Sequence, residues 1–123
     1  MRGIVDPWGG RTRGIKGVFT RNVAFAVDRI IPLWLPSIEA AKKVEDSSLD
    51  FVFIDANHHY EHVVQDMIAW YPKVRSGGLF SGHDYGGGRV WHGVKRAVNE
   101  WCALRGYEVQ TARGNIWWVI KGD

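Results

Sequence analysis

The feature that most constrains the fold is a strand, loop, helix, strand and loop pattern that occupies residues 49–85. Residues 49–54 form an aromatic and β-branched run that is mostly apolar on both faces, which predicts a buried parallel strand. From Tyr60 the apolar residues recur at helical spacing, and Ser76-Gly77-Gly78 predicts a turn before a second short strand at 79–82. A right-handed crossover makes the two strands parallel, so the polar loops that follow them open at the same edge of a sheet.

Both of these loops carry side chains that are capable of chemistry. Asp55 and His58 follow the first strand, and His83 and Asp84 follow the second. Because open α/β sheets bind ligands at the carboxyl ends of their strands, we expect these four side chains to converge. A purely structural interpretation also stands, in which Asp55 and Asp84 cap helices and His83 bonds to the backbone.

The rest of the chain alternates strands and helices in the same manner. The patterns predict a strand at 3–6, a helix at 18–28, a strand at 30–35, a helix that begins at Pro36-Ser37, a helix at 91–104 that stops at Gly106, and a hairpin of strands 107–111 and 116–120 that turns at Gly114. This alternation predicts a single α/β domain over residues 1–123, with a largely parallel sheet and an antiparallel edge.

Composition narrows the function classes. The chain has 123 residues, a net charge of +3 and one cysteine, Cys102, so an internal disulfide or a cysteine-rich metal motif is excluded. With no segment that resembles a signal peptide or a membrane span, we expect a cytoplasmic protein that has no contact with membranes. Basic residues cluster near the start of the chain, namely Arg2, Arg11, Arg13, Lys16 and Arg21. Such a cluster would suit the binding of phosphate or nucleic acid. Because no repeat of aromatic and basic residues follows it, a solvated loop is favoured.

Several motifs together indicate a family. They are Phe53-Ile54-Asp55, His58, Tyr60-Glu61, Gly77-Gly78, Gly82-His83-Asp84-Tyr85, Gly93-Val94 and Ala97-Val98. In this order they resemble class I S-adenosylmethionine-dependent methyltransferases, in particular the small-molecule group with FID-x-x-H-x-Y-E and GHDY signatures. The resemblance covers nearly the whole chain from Ile4 and implies a Rossmann-like methyltransferase sandwich with a closing antiparallel hairpin.

The resemblance also implies roles for individual residues. In the catechol-type relatives, the polar residues that end the fourth and fifth strands bind magnesium, and here Asp55, His83 and Asp84 occupy those places. Such a set implies a divalent metal such as Mg or Mn, although an imidazole also suits zinc or iron. His58 stands where those relatives carry a catalytic base, and an imidazole titrates near neutral pH.

For the cosubstrate S-adenosylmethionine, the resemblance implies three contacts on the preceding segments. Asp6 would accept hydrogen bonds from the ribose hydroxyls, as an acid beyond a strand end does in nucleotide-binding sheets. Trp8, with Pro7, would flank the adenine, and Ser37 would lie near the adenine edge.

The sequence departs from the family at its start, because the first strand, the glycine-rich turn and the following helix are missing before Ile4. That first strand lies at the centre of the family's sheet, so its loss would expose strand edges. The chain is then a fragment, or a partner strand fills the gap, or residues 3–6 have moved into it, and a homodimer is one way to cover the edges.

From the motifs as a whole, we expect a methyltransferase that acts on a small-molecule hydroxyl. The alternative is an inactive methyltransferase-like remnant that serves as an oligomerisation or ligand-binding module, and a nucleic-acid-binding protein is the weaker third hypothesis.

Overall fold

The computed structural model describes residues 13–86 and 92–123. Asp6, Trp8 and the strand predicted at 3–6 lie outside the described residues. By its internal contacts the chain divides into two compact units, Met1–Ala40 and Ala41–Asp123. No helix in the described ranges combines the length and the apolar character that crossing a membrane requires.

The first unit contains helix α1 (Arg13–Asn22) and a 3₁₀ helix (Ala24–Arg29), which is kinked at Ala26 with φ −123°. The single helix predicted at 18–28 is therefore two pieces. The strand predicted at 30–35 is wrong, since this segment pairs with no strand among the described residues. Its apolar and β-branched composition does favour an extended backbone, but a strand also needs a neighbour, and Pro32 has no amide hydrogen to donate to one.

Helix α2 (Ser37–Ala41) begins at the serine predicted to start it and spans only five residues. In the segment before it, the Trp34 ring meets Phe19 edge-on, with ring centroids 5.4 Å apart. The Lys16 ammonium lies 5.0 Å from the Trp34 centroid, where the electron-rich face of an indole attracts a cation. These contacts tie the end of the first unit to α1.

The second unit is a mixed sheet covered by helices on one face. Its strands are β1 (Leu49–Ile54), β2 (Val74–Gly82), β3 (Gln110–Ala112) and β4 (Ile116–Ile120), in the order β1-β2-β4-β3. Its helices are α3 (Tyr60–Trp70) and α4 (His92–Arg105), with a 3₁₀ turn at Tyr71–Lys73. The β1–β2 pair is parallel, and β4 runs antiparallel to both β2 and β3. This confirms the predicted parallel pair and closing hairpin, in which Gly114 has the expected positive φ of 75°. The burial predicted for residues 49–54 is wrong on one face of β1, where Phe51 is 62% exposed.

The turn predicted at Ser76-Gly77-Gly78 is wrong, because β2 runs without interruption through these residues. Leu49 pairs with Val74 and Phe51 already pairs with Leu79, so β2 carries extra residues opposite the start of β1. A φ of +78° at Gly77 allows this irregularity. The Gly77 amide donates to the Lys121 carbonyl at 2.8 Å. The two glycines therefore continue the strand, although a glycine pair usually indicates a turn.

The core lies between the sheet and helices α3 and α4. Its completely buried members include Met67, Val74, Phe80 and Val98, and Cys102 is buried beside them as its helical position predicts. The apolar spacing from Tyr60 predicts Ile68 on the inner face of α3, but Ile68 is 58% exposed and Asp66 is buried, so the helix is rotated relative to that prediction. The sheet, with its two helices packed on one face, thus fixes where the ends of β1 and β2 lie.

Candidate functional site

The site lies at the edge of the sheet where the parallel strands β1 and β2 end together. Ile54 pairs with Gly82, and the His83 amide donates to the Ile54 carbonyl at 3.0 Å. The ladder therefore places Asp55 next to His83 and Asp84. One ligand atom from each of these three side chains lies within 4.8 Å of the other two. We refer to Asp55, His58, His83 and Asp84 as the rim cluster.

Asp84 joins the two imidazoles of the rim cluster. Its Oδ2 accepts from His58 Nε2 at 2.8 Å, and its Oδ1 accepts from His83 Nδ1 at 3.0 Å. Its φ is +67°, a left-handed conformation that aspartate tolerates better than most residues. The side chain is only 16% exposed, so the carboxylate charge is partly shielded from water and interacts strongly with its neighbours. The convergence predicted for Asp55, His58, His83 and Asp84 is thus present in the geometry.

Two glycines allow this close approach of elements. A Cβ on Gly82 would lie 2.7 Å from the Ile54 carbonyl oxygen and 2.6 Å from the Trp117 indole nitrogen. A Cβ on Gly93 would lie 2.4 Å from the His58 carbonyl oxygen and 2.6 Å from the Tyr60 amide nitrogen. The first turn of α4 therefore rests directly on the backbone that carries His58. Gly82 and Gly93 belong to recognisable motifs, but their packing role is visible only in the structure.

A surface cluster that the sequence analysis did not identify fixes the start of α3 to α4. The Tyr60 hydroxyl donates a short hydrogen bond to Glu100, whose other oxygen accepts from Arg96 Nε at 3.0 Å. The Arg96 guanidinium lies 4.1 Å from the Tyr60 ring centroid. The bond from Tyr60 lowers the pKa of Glu100, and the same bond raises the pKa of Tyr60. The only sequence signal was Arg96 and Glu100 at i, i+4 spacing on a helix.

The rim cluster borders a small cavity of about 10 Å³, lined in part by Asp55, His83 and Asp84. That volume is close to what one ordered water, or a small ion, requires. Two ligand atoms on Mg²⁺ lie at most about 4.2 Å apart, whereas on Ca²⁺ they can be about 5 Å apart. Ligand atoms that all lie within 4.8 Å of one another can therefore share one divalent ion of this size range.

The donor types also fit a divalent ion. Each carboxylate oxygen has two lone pairs, so Asp84 retains acceptor capacity beyond its two imidazole bonds. His83 Nδ1 lies 3.0 Å from Asp84 Oδ1, and it offers a lone pair to an ion in the tautomer whose proton is on Nε2. Two carboxylates with one imidazole form a mixed oxygen and nitrogen set, which manganese and iron accept more readily than magnesium does.

The residues expected to contact the cosubstrate are placed less completely. Ser37 is the first residue of α2 and is half-buried. Asp6 and Trp8 lie outside the described ranges. The assignment of these three residues to the cosubstrate stays a prediction.

The chain belongs to the methyltransferase domain family, whose model matches residues 4–85. It is a class I S-adenosylmethionine-dependent methyltransferase domain, and the predicted Rossmann-like α/β fold is confirmed. Members of this family use S-adenosylmethionine in general. Assignment to the narrower FID and GHDY group stays a prediction. No curated protein sequence matches this chain.

Three solved structures illustrate the likeness. A protein of Corynebacterium glutamicum superposes with a TM-score of 0.67 at 16% identity, over 87% of this chain and 54% of its own. A Clostridium thermocellum protein described as a candidate rRNA methylase gives 0.60 at 18% identity, over 83% of this chain and 66% of its own. The O-methyltransferase NovP gives 0.49 at 23% identity, over 60% of this chain and 31% of its own. The chain thus spans about half the length of the first of these relatives.

Proposed function

We propose that this domain transfers a methyl group from S-adenosylmethionine to a hydroxyl of a small molecule, with a divalent metal ion held by Asp55, His83 and Asp84. The observation that supports this is the convergence of those three side chains within 4.8 Å at the ends of β1 and β2. An ion bound there would supply positive charge that lowers the pKa of a substrate hydroxyl.

In this proposal His58 accepts the hydroxyl proton. Its Nε2 donates to Asp84, so in the neutral imidazole the basic lone pair is on Nδ1, which accepts the proton. Asp84 then stabilises the imidazolium that forms, because the carboxylate remains bonded to Nε2 at 2.8 Å. Methyl transfer itself needs alignment of the two reactants in a site that excludes water, and it needs no covalent intermediate with the protein.

On the cosubstrate side, we assign Asp6 to the ribose hydroxyls and Trp8 and Ser37 to the adenine. An acid beyond a strand end binds a ribose diol because its two oxygens accept from both hydroxyls. Titration with S-adenosylhomocysteine by calorimetry tests this assignment. Micromolar binding that disappears in Asp6→Ala supports it, and an absence of heat at millimolar ligand contradicts it for this chain.

Manganese binding, followed by electron paramagnetic resonance, tests the metal site. Asp84→Asn should weaken binding at least tenfold, because an amide carries no charge to offset that of the cation. Asp46→Asn is the matched control, since Asp46 precedes the start of β1, at the opposite end of the strand, where it accepts from Lys73 at 2.7 Å. Equal manganese affinity in both variants would contradict the proposed ligands.

The second candidate is a domain that has kept the methyltransferase fold without cosubstrate binding and serves in assembly or ligand binding. Titration with S-adenosylhomocysteine separates the two candidates. The remnant should not bind this ligand, even if its rim cluster binds manganese.

A further inference from the structure

Asp84 adopts a backbone conformation that most residues avoid. Its φ of +67° lies in the left-handed region, which is disfavoured for residues with a side chain even though aspartate tolerates it better than most. Such conformations persist only where the surrounding structure fixes them. In this conformation one carboxylate contacts both His58 and His83, at 2.8 Å and 3.0 Å. The geometry of the rim cluster therefore depends on whatever holds the backbone at Asp84.

Hydrogen bonds anchor the backbone on both sides of Asp84. Before it, the His83 amide donates to the Ile54 carbonyl at 3.0 Å, which continues the ladder between β1 and β2. After it, the Tyr85 amide donates at 2.9 Å to the carbonyl of Asn115, in the turn between β3 and β4. Because these two bonds bracket Asp84, they restrict the rotations of its backbone and so the direction of its carboxylate.

The Tyr85 side chain supplies a further anchor, on helix α4. Its hydroxyl donates to Asn99 Oδ1 at 2.6 Å, and the Lys95 ammonium lies 5.4 Å from the centroid of its ring. Lys95 and Asn99 are four residues apart on α4, so both lie on the same side of the helix. The ring also packs against the buried core. Tyr85 therefore joins the loop that carries Asp84 to α4 through its side chain and to the hairpin through its amide.

The residue after Tyr85 brings the loop still closer to the hairpin. A Cβ on Gly86 would lie 2.1 Å from the Gly114 carbonyl oxygen and 2.7 Å from Asn115 Oδ1. Glycine is therefore needed for the loop to rest on the tip of the hairpin. The position of Asp84 thus depends on α4 and on the hairpin of β3 and β4, two segments that contribute no side chain to the rim cluster.

We propose that Tyr85 and Asn99 are positioning residues for the rim cluster, and that their hydrogen bond holds Asp84 where one carboxylate reaches both imidazoles. This inference rests on the proposed function in that the carboxylate so held is a ligand of the ion. The bond is exposed, so water replaces either partner when it is lost and its net contribution to stability is small. Its consequence is geometric, because residues that orient metal ligands change metal affinity by about 10- to 100-fold when they are removed.

Manganese affinity, measured by electron paramagnetic resonance on the full chain, tests the positioning role. Tyr85→Phe and Asn99→Ala remove opposite sides of one bond, so each should weaken binding about tenfold, and the double variant should bind no more weakly than either. Tyr107→Phe is the matched control. It removes a hydroxyl that accepts from the Gly122 amide at 2.8 Å, beyond the end of β4 that lies away from the rim cluster, and should leave manganese affinity unchanged. Thermal melts by circular dichroism establish that all four variants are folded.

A measurement on the metal-free protein separates this inference from the proposed metal site. The ¹⁵N resonances of the His58 and His83 rings, recorded at one fixed pH, report their bonds to Asp84. Tyr85→Phe should shift the resonances of both rings, and Tyr107→Phe should shift neither. A wild type that binds no manganese contradicts the metal site, and the ring resonances then decide the positioning role alone. Unshifted resonances or unchanged manganese affinity in Tyr85→Phe overturns the positioning role, as does an equal loss of affinity in Tyr107→Phe or an additive loss in the double variant.

Discussion

Gly93→Ala tests whether the close packing of α4 against residues 55–59, which join β1 to α3 and are called the rim loop below, is a structural requirement. Two effects of opposite sign compete at this position. Alanine is favoured over glycine within a helix by about 1 kcal/mol, and by less in a first turn. The added Cβ would lie 2.4 Å from the His58 carbonyl oxygen and 2.6 Å from the Tyr60 amide, both of them backbone atoms that cannot rotate away.

Relieving these contacts requires α4 and the rim loop to separate by about 1 Å, and such overpacking costs about 1–3 kcal/mol. The cost exceeds the propensity gain, so we expect a net loss of about 1–2 kcal/mol of unfolding free energy. For a chain of this size that corresponds to a fall in melting temperature of roughly 4–8 °C. Circular dichroism melts measure this change, and manganese affinity should fall as well because the displaced loop carries Asp55 away from His83 and Asp84.

Gly17→Ala is the matched control for this experiment. Gly17 lies inside α1, and a Cβ there would meet no atom within 4 Å. Only the propensity term remains, so this variant should melt at or above the wild-type temperature. A Gly93→Ala variant that is as stable as Gly17→Ala would refute the inference that glycine is needed at the contact between α4 and the rim loop.

Three further predictions concern the packed interior and the surface cluster. Met67→Ala should cost about 2–5 kcal/mol in urea unfolding, because the side chain is completely buried and leaves a cavity; a loss below 1 kcal/mol would mean that α3 is loosely packed. Burial raises the pKa of the Cys102 thiol to about 11. At pH 8 its thiolate fraction should therefore be about a hundredfold below that of a free cysteine, and the rate of its labelling by iodoacetamide should fall by the same factor. Rapid labelling would contradict this prediction. The lowered pKa of Glu100 means that its contribution to stability is present above the usual glutamate pKa and is lost as the pH falls through the lowered value. Glu100→Gln should therefore destabilise the protein at pH 7 and have little effect in strong acid, and a loss that is independent of pH would exclude the contact with Tyr60 and Arg96 as its source.

The parts of the fold that sequence patterns predicted correctly are those determined by local periodicity. β1, α3, α4 and the Gly114 hairpin each follow from apolar spacing and a turn residue that lie within one segment. Two of the failures depend on neighbours distant in sequence. Residues 30–35 have the composition of a strand, but a strand is defined by its partner. Gly77-Gly78 has the composition of a turn, but its pairing with Lys121 of a remote segment keeps it within β2.

The candidate site follows the same division. The meeting of Asp55 with His83 and Asp84 could be predicted, because parallel strands that are joined by a right-handed helix end at one edge. The bridging position of Asp84 could not, since it depends on a positive φ that aspartate adopts only in particular contexts. The contact between Gly93 and the rim loop likewise depends on how deeply α4 packs, which no spacing in the sequence records.

The boundary at Ala41 separates the two kinds of residue to which roles are assigned here. Every member of the rim cluster follows it, whereas Asp6, Trp8 and Ser37 all precede it. Under the proposed roles, mutations that erode nucleoside recognition therefore fall on a different stretch of the gene from those that erode ion binding. Natural selection can relax one capacity while it maintains the other, so descendants of such a domain can persist as ion-binding proteins long after methyl donation has been lost.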